Sequence, residues 1–308
     1  SSSPLAGICA VCNEMYTLIG ANMKKINVEI RILISMSLLF FFISSFTNAQ
    51  DVSKIDPIDY STGGFDPSIN QLQPKYVGHN LEVVYLMLAR LKSITEKKDE
   101  FETTSDFKKR SESEFKKPIL NSLTLDSIFA FKVKYCNTSY DADKQQLTIT
   151  CEFFRVYKSF RDNEKVPEDL HSIIWKYELI NRGSYGGSNA FGATVEVTRH
   201  ETNRYELVVC NYDDFPTTKS SENGYERVFL TVDLNVRQEQ ARIMKSSIAT
   251  LFISKLTTPF SLKDVDYSPA TITSPLSTTT NSFYVFANLI EVWFYDINTG
   301  QILLKIKK

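Results

Sequence analysis

Strand-like alternation dominates the chain from about residue 127 onward, and this feature limits the fold more than any other. Segments rich in β-branched and aromatic residues alternate with polar residues at a period of two, which is typical of β-strands. Breaks that contain Gly, Asn, Asp or Pro separate the segments. Strands are predicted at 128–136, 146–154, 172–180, 192–200, 204–212, 226–234, 249–256, 282–296 and 301–306.

Helical periodicity precedes these strands. Residues 80–91 carry apolar side chains at a spacing of three and four, so they predict a helix with Asn80 as its N-cap. A second helix is predicted from Thr103 or Thr104 to Pro118, and a short late helix over 237–245. Helices followed by strands predict an α+β fold, with N-terminal helices packed on a β-rich, mostly antiparallel sheet or sandwich.

The N-terminal region has the pattern of an export signal. Lys24, Lys25 and Arg31 precede an uncharged apolar run of 15 residues at 32–46, and small residues follow up to Ala49. A membrane-spanning helix needs roughly 20 apolar residues. The pattern predicts a cleaved signal peptide over 23–49, with an uncleaved anchor as the alternative.

These signals predict the organisation of the whole chain. Residues 1–22 lie upstream of a natural start at Met23, so Cys9 and Cys12 are set aside. Residues 50–79 read as an extended segment, and 80–308 as a single α+β domain with a second boundary near 160–170 as the alternative.

Composition narrows the classes of partner. The chain is 43% hydrophobic, carries a formal net charge of -1 and has no long basic block. This balance disfavours nucleic acid and anionic membrane surfaces as partners. No metal or cofactor motif is present in the sequence, so neither is predicted.

Two cysteines flank a predicted hairpin. Cys136 and Cys151 lie nearly symmetrically about the turn at 143–144, and an exported protein meets oxidising conditions. A disulfide is therefore predicted, although two separate buried thiols remain the alternative because a register slip of one residue would turn one side chain away. Cys210 is then the odd thiol.

Catalytic chemistry has weak support. His200 and Cys210 lie on neighbouring predicted strands and suggest a base and a nucleophile, but an apolar strand would raise the thiol pKa. The Gly-rich residues 181–192 precede a strand rather than a helix, so they predict a loop or hairpin connection that is able to contact a ligand. The sequence therefore favours an exported, non-catalytic binding or envelope-associated protein. The alternative is an exported hydrolase with a site near His200, Cys210 and 181–192.

The stretch KKDEFETTSDFKKR at 97–110 predicts a junction between the two helices. Thr103 and Asp106 suit a helix start, while Phe101 and Phe107 are predicted to pin the second helix to the sheet. Arg110 is expected to face outward or to pair with Glu100 or Glu102. A binding surface for a partner is the alternative for this stretch.

This stretch also carries a resemblance to a known group. Together with YDADKQQLTI at 140–149 and the C-terminal strands, it resembles secreted bacterial proteins of unknown function that have a G-E-F-E-T-x-x-x-F-x-x-R element before a YDAD-type hairpin. Asp99 stands where the group has Gly. The matching residues are Glu100, Phe101, Glu102, Thr103, Phe107 and Arg110. The resemblance implies a bacterial envelope location, secreted or periplasmic, but no activity. The partner stays unknown, and an envelope protein and a small molecule are the two candidates.

Overall fold

The fold was analysed in a computed structural model that describes residues 61–134, 136–156, 170–188, 190–222 and 225–308. The chain divides into two units, Ser1–Asp56 and Pro57–Lys308, and all described residues belong to the second unit. The predicted upstream sequence and signal peptide lie outside the described residues, as does nearly all of the alternative boundary near 160–170.

Three helices lie within the described residues: α1 (Leu81–Glu96), α2 (Thr104–Phe115) and α3 (Gln238–Ser247). The predicted cap of α1 is present, because the Asn80 side chain accepts a hydrogen bond from the Val83 backbone N–H at 3.2 Å. The late helix α3 begins after Arg237. In the part of the chain that the structure describes, no helix combines the length and the apolar character needed to cross a membrane.

Ten strands form one curled sheet. They are β1 (Ile128–Val133), β2 (Cys136–Asp141), β3 (Gln146–Arg155), β4 (His171–Ser188), β5 (Thr194–Val209), β6 (Thr217–Glu222), β7 (Tyr225–Asn235), β8 (Ile248–Ser268), β9 (Leu276–Asp296) and β10 (Ile302–Lys307). The order is β1-β8-β9-β5-β4-β3-β7-β6, while β10 pairs with β9 and β2 pairs with β3. Since β5 and β9 run parallel, the sheet is mixed. The predicted α+β class is confirmed at this level.

Several strands run further than their hydrophobic pattern predicted. The segments 192–200 and 204–212 belong mainly to one continuous strand, β5, and β4 continues through the Gly-rich stretch as far as Ser188. Strands β8 and β9 each have 21 residues, and β9 takes in part of the loop predicted at 269–281. The added residues are mostly polar. Backbone pairing alone extends these strands, and that pairing leaves no hydrophobic period in the sequence.

The main core lies between α1 and the inner surface of the curled sheet. Leu81, Val84 and Leu88 of α1 are buried against it. The curl brings β3 to face β8, so that the rings of Phe153 and Phe252 stack with centroids 5.8 Å apart. Apolar burial on this scale is the dominant favourable contribution to folding.

The opposite surface of β8 and β9 is covered by residues 61–79. Phe65 packs edge-on against Trp293 at 5.2 Å, and Lys305 Nζ lies 3.8 Å from the Trp293 ring centroid. Gly78 has a φ of +73°, and a Cβ there would lie 2.4 Å from the Ala130 carbonyl oxygen, so only glycine fits. The described part of the predicted extended segment is therefore built into the domain.

A disulfide joins Cys136 on β2 to Cys151 on β3. These two residues are direct cross-strand partners in the antiparallel β2–β3 pair, whose turn follows Asp141. The bond that the sequence predicts is thus present, in the register that a hairpin through the YDAD turn requires. Cys210 is a free thiol.

Candidate functional site

A pocket of about 430 Å³ opens between the C-terminal half of α1, the end of α2 and an irregular part of β8. We call it the helix–bulge pocket. Its lining residues are Leu88, Leu91, Lys92, Thr95, Glu96, Phe115, Thr258, Pro259, Phe260 and Ser261. This volume lies within the range of small-molecule sites in proteins.

An irregularity in β8 builds one wall of the pocket. The register between β8 and β9 shifts between Leu256 and Ser261. Within this bulge, Phe260 has a φ of +65°, in the left-handed region that bulky side chains rarely adopt. The Phe260 ring lies 6.5 Å from the ring of Phe115 on α2. Strained backbone of this kind occurs at ligand sites, where the surrounding structure holds it in place.

Half of the residues that line the helix–bulge pocket are apolar and half are polar. Buried Leu88 and Leu91 form its floor, and the Thr95 hydroxyl is satisfied by donating to the Leu91 carbonyl oxygen at 2.9 Å. The exposed rim carries Lys92 and Glu96, whose Nζ and Oε1 atoms lie 3.4 Å apart. Such a pocket can hold an apolar body with one polar end at the rim.

A second concave region lies on the sheet near the predicted 181–192 segment. It measures about 410 Å³ and brings that segment together with His200. Its lining residues are Arg182, Tyr185, Arg199, His200, Glu201, Tyr267, Ser277 and Thr279. The sequence placed part of this set together but missed Tyr267, Ser277 and Thr279.

Cys210 does not join His200 there. His200 lies within β5, and Cys210 follows directly after the end of this strand. The two residues are ten positions apart, which corresponds to about 33 Å along an extended chain. Burial raises the pKa of the Cys210 thiol to about 11, so the thiolate is disfavoured. The sequence predicted these two residues on two neighbouring strands. This prediction is wrong, because residues 194–209 form one continuous strand.

The other histidines serve packing. His79 Nδ1 accepts from the Ala130 backbone N–H at 2.9 Å, and Nε2 lies 2.9 Å from the Gly63 carbonyl oxygen. Burial lowers the His79 pKa, so the ring is neutral with its proton on Nε2. His171 is buried with its ring 4.6 Å from that of Tyr212. Among the described residues, no group of three or more His, Cys, Asp and Glu side chains is placed to hold a metal ion.

The buried carboxylates of the described sheet include Glu206 and Glu291. Glu206 accepts from the Ser172 hydroxyl at 2.5 Å, and its other oxygen lies 3.1 Å from Arg204 Nε. Burial raises the Glu206 pKa. The side chain is paired with its neighbours on the sheet surface and does not line either pocket described above.

The 97–110 stretch is a junction, and Arg110 holds it by pairing with Glu102, one of the alternatives that the sequence left open. Arg110 forms a bidentate pair with Glu102, with Nε–Oε1 and Nη2–Oε2 distances of 2.9 Å. Arg110 also donates to the backbone carbonyl oxygens of Ile94 and, at 3.1 Å, Lys97, at the end of α1. The guanidinium lowers the Glu102 pKa. Arg110 therefore ties the start of the motif, the end of α1 and α2 together.

The aromatic residues of this stretch do not pin α2 to the sheet. Phe101 is 89% exposed, and α2 has no fully buried residue. Phe107 is half-buried, with the Arg110 guanidinium 5.3 Å from its ring centroid. Thr103 caps α2 by accepting from the Asp106 N–H at 3.1 Å. Glu100 is exposed, and Glu102 rather than Glu100 pairs with Arg110.

Comparisons of this chain with protein-family models, with curated protein sequences and with solved structures found no match.

Part of the helix–bulge pocket has no counterpart in the sequence-based predictions. Phe260 lies after the predicted strand at 249–256 and was assigned no role. The Thr-Pro pair at 258–259 is the available signal, because proline within a strand pattern indicates a bulge or an edge.

Proposed function

We propose that this chain is an exported, non-catalytic binding protein whose ligand occupies the helix–bulge pocket. The observation that carries the proposal is a pocket of ligand size, with apolar and polar side chains in its lining and a strained, left-handed Phe260 in its wall. Its ligand is a small, largely apolar molecule with one polar end that meets Lys92 and Glu96 at the rim.

The packing around the pocket supports a ligand site rather than a packing gap. Phe115 is 41% exposed at the end of α2, although a ring beside an apolar groove is more stable when covered. A bound apolar molecule would cover Phe115 and Phe260 together. The floor beneath them is already formed by buried side chains of α1, so binding requires little rearrangement.

Export rests on the N-terminal pattern, and a bacterial secreted or periplasmic location also rests on the resemblance of the 97–110 element. The Cys136–Cys151 disulfide is compatible with that proposal, because such bonds persist in oxidising compartments. Sequencing the N-terminus of the mature protein tests it. We expect the mature chain to begin at Gln50, and an intact residue 49–50 bond would favour a membrane-tethered protein instead.

The hydrolase alternative lacks its central pair, since Cys210 and His200 are far apart. A non-catalytic role is therefore the proposal that agrees best with the geometry of the described residues. Turnover of ester, peptide or glycoside substrates that is abolished by His200→Ala would overturn it.

Ligand binding is testable with a fluorescent apolar probe such as anilinonaphthalene sulfonate and with laurate as its competitor. We expect saturable binding that Phe115→Ala weakens about tenfold, which corresponds to about 1.4 kcal/mol. Ile243→Ala is the matched control, because Ile243 is an exposed apolar side chain on α3, outside the pocket lining. Equal probe binding by both variants would place the probe elsewhere and contradict the proposal.

A further inference from the structure

The outer parts of four strands lie beyond the cover of α1 and of residues 61–79. We call them the distal ribbon, and they comprise 177–188, 194–201, 263–268 and 276–280. Large exposed side chains concentrate there. These are Tyr185, Val265 and Tyr267 on one face, and Tyr177, Leu179 and Leu276 on the other. Exposed aromatic and aliphatic side chains clustered in one region mark an interaction site more often than single ones do.

Two exposed tyrosines lie on the same face of this ribbon. Tyr267 on β8 pairs with Thr279 on β9, which in turn pairs with Glu201 on β5, so the three share a face. Tyr185 on β4 pairs with Val197, which lies on the Glu201 face of β5. Tyr185 and Tyr267 are therefore three strand spacings apart across the sheet and four residues apart along it, a separation of about 19 Å. They flank the concave region of about 410 Å³ described above, which we call the tyrosine saddle.

The floor of the tyrosine saddle is a fixed polar network. Arg182 Nε lies 2.7 Å from Glu201 Oε2. Asn281 Nδ2 donates to Glu201 Oε1 at 3.0 Å and to Asn203 Oδ1 at 3.1 Å. Asn203 and Asn281 are buried and lie beside the saddle, two residues further along β5 and β9 on the same face. Since these groups already hold one another, a ligand that binds to them meets little ordering cost.

The saddle carries an excess of positive charge. Arg199 lies with its guanidinium carbon 5.8 Å from the Tyr185 ring centroid and donates to the Arg182 carbonyl oxygen at 3.1 Å. The lining therefore has two arginines against one carboxylate, Glu201. Arg182 pairs with Glu201, so the positive charge of Arg199 is in excess. The planar guanidinium of Arg199 can donate two parallel hydrogen bonds to a carboxylate. The Ser277 and Thr279 hydroxyls add donors and acceptors.

We propose that the tyrosine saddle binds an acidic oligosaccharide. Aromatic rings such as Tyr185 and Tyr267 pack against the C–H faces of sugar rings, while hydroxyl, amide and charged side chains bond to sugar hydroxyls. A tyrosine separation of about 19 Å spans more than one sugar ring. A carboxylate on the sugar would meet Arg199. This second site is separate from the helix–bulge pocket and does not depend on it.

Isothermal titration of the full chain with tetragalacturonate tests this site, with cellotetraose as the neutral comparison. We expect tetragalacturonate to bind at least tenfold more tightly than cellotetraose. Tyr267→Ala and Arg199→Gln should each weaken tetragalacturonate binding about tenfold, and only Arg199→Gln should also remove the preference for the acidic sugar. The melting temperature of both variants should stay unchanged, because both side chains are exposed.

Tyr177→Ala is the matched control. Tyr177 is a similarly exposed tyrosine of β4, but it pairs with Arg204 and therefore lies on the opposite face from Tyr185. It should leave binding unchanged. The proposal is overturned if neither sugar binds, if the neutral sugar binds as tightly as the acidic one, or if Tyr177→Ala weakens binding as much as Tyr267→Ala does.

Discussion

Strands β8 and β9 have an inner and an outer part that share one hydrogen-bonded ladder and differ in what covers them. In the inner part, Phe252 and Trp293 are fully buried between α1 on one side and residues 61–79 on the other. In the outer part, Tyr267 is 60% exposed. The β8 bulge at 256–261 lies between the two parts and forms a wall of the helix–bulge pocket.

This difference separates stability from binding along the same two strands. Side chains of the inner part contribute to the free energy of unfolding through their buried area. Side chains of the outer part contribute little to that free energy and are available to ligands. Substitutions that affect one quantity without the other can therefore break or sharpen the comparison.

The largest effect is expected from Trp293→Ala. The indole is fully buried against Phe65 and Lys305, so its loss should lower the free energy of unfolding by about 3–5 kcal/mol. Tyr267→Ala, further along the same ladder, should change it by less than about 0.5 kcal/mol. Urea unfolding of the two variants measures both values. Similar losses would show that the outer part also carries stability.

The next effect concerns the disulfide. Replacing both Cys136 and Cys151 by Ala releases a loop closed across a sequence separation of 15 residues. We expect a loss of about 3 kcal/mol from the added freedom of the unfolded chain. Calorimetry of the double variant checks this, and Cys210→Ala serves as the control because that thiol is free. If the double variant unfolds like the unaltered protein, the bond does not constrain the unfolded chain.

A smaller effect is expected from Arg110→Ala. The substitution removes the link between Glu102 and the carbonyl oxygens at the end of α1, so the melting temperature should fall by less than on loss of the disulfide. Phe101→Ala should leave the melting temperature unchanged, because this ring is almost fully exposed. If Phe101→Ala lowered the melting temperature more than Arg110→Ala did, the aromatic side chains would hold the junction, as the sequence predicted.

The smallest effect is a pH dependence from His79. Because the folded pKa is lowered by burial, the unfolded chain binds a proton more readily, and stability is fully present only above the unfolded pKa of about 6.5. Stability should fall as the pH drops from there toward the folded pKa. Urea unfolding at about pH 7.5 and about pH 5.5 measures the change, which should shrink in His79→Gln. If the free energy of unfolding of His79→Gln changes with pH as much as that of the unaltered protein, groups other than His79 cause the pH dependence.

The inner part of the molecule was predictable from sequence, and the outer part was not. The helix α1, its Asn80 cap and the strand containing Phe129 and Phe131 follow from apolar periodicity, because burial imposes that periodicity. The Cys136–Cys151 register followed from the symmetry of its turn. The parallel pairing of β5 with β9 left no comparable local signal, since it joins residues distant in sequence.

The candidate sites were also predictable only in part, because they join residues that are distant in sequence. His200 was noted as a base beside Cys210, and residues 181–192 as a Gly-rich stretch, yet Tyr267 and Thr279 come from strands whose polar residues resemble a loop. Phe101 and Phe107 were expected to be buried because aromatic residues usually are. Arg110 instead uses its side chain to cap α1, and that contact depends on how two helices meet in space.

The helix–bulge pocket lies where the inner and outer parts of β8 and β9 meet. Blocking this pocket is the most direct test of the proposal that a ligand binds there. Thr258 is an exposed residue of the pocket lining, so Thr258→Trp places an indole in the opening without disturbing the floor. In a titration with anilinonaphthalene sulfonate, this variant should keep its melting temperature and lose laurate-competed binding by at least tenfold. Unchanged binding in a folded Thr258→Trp protein would contradict the assignment of the ligand to this pocket.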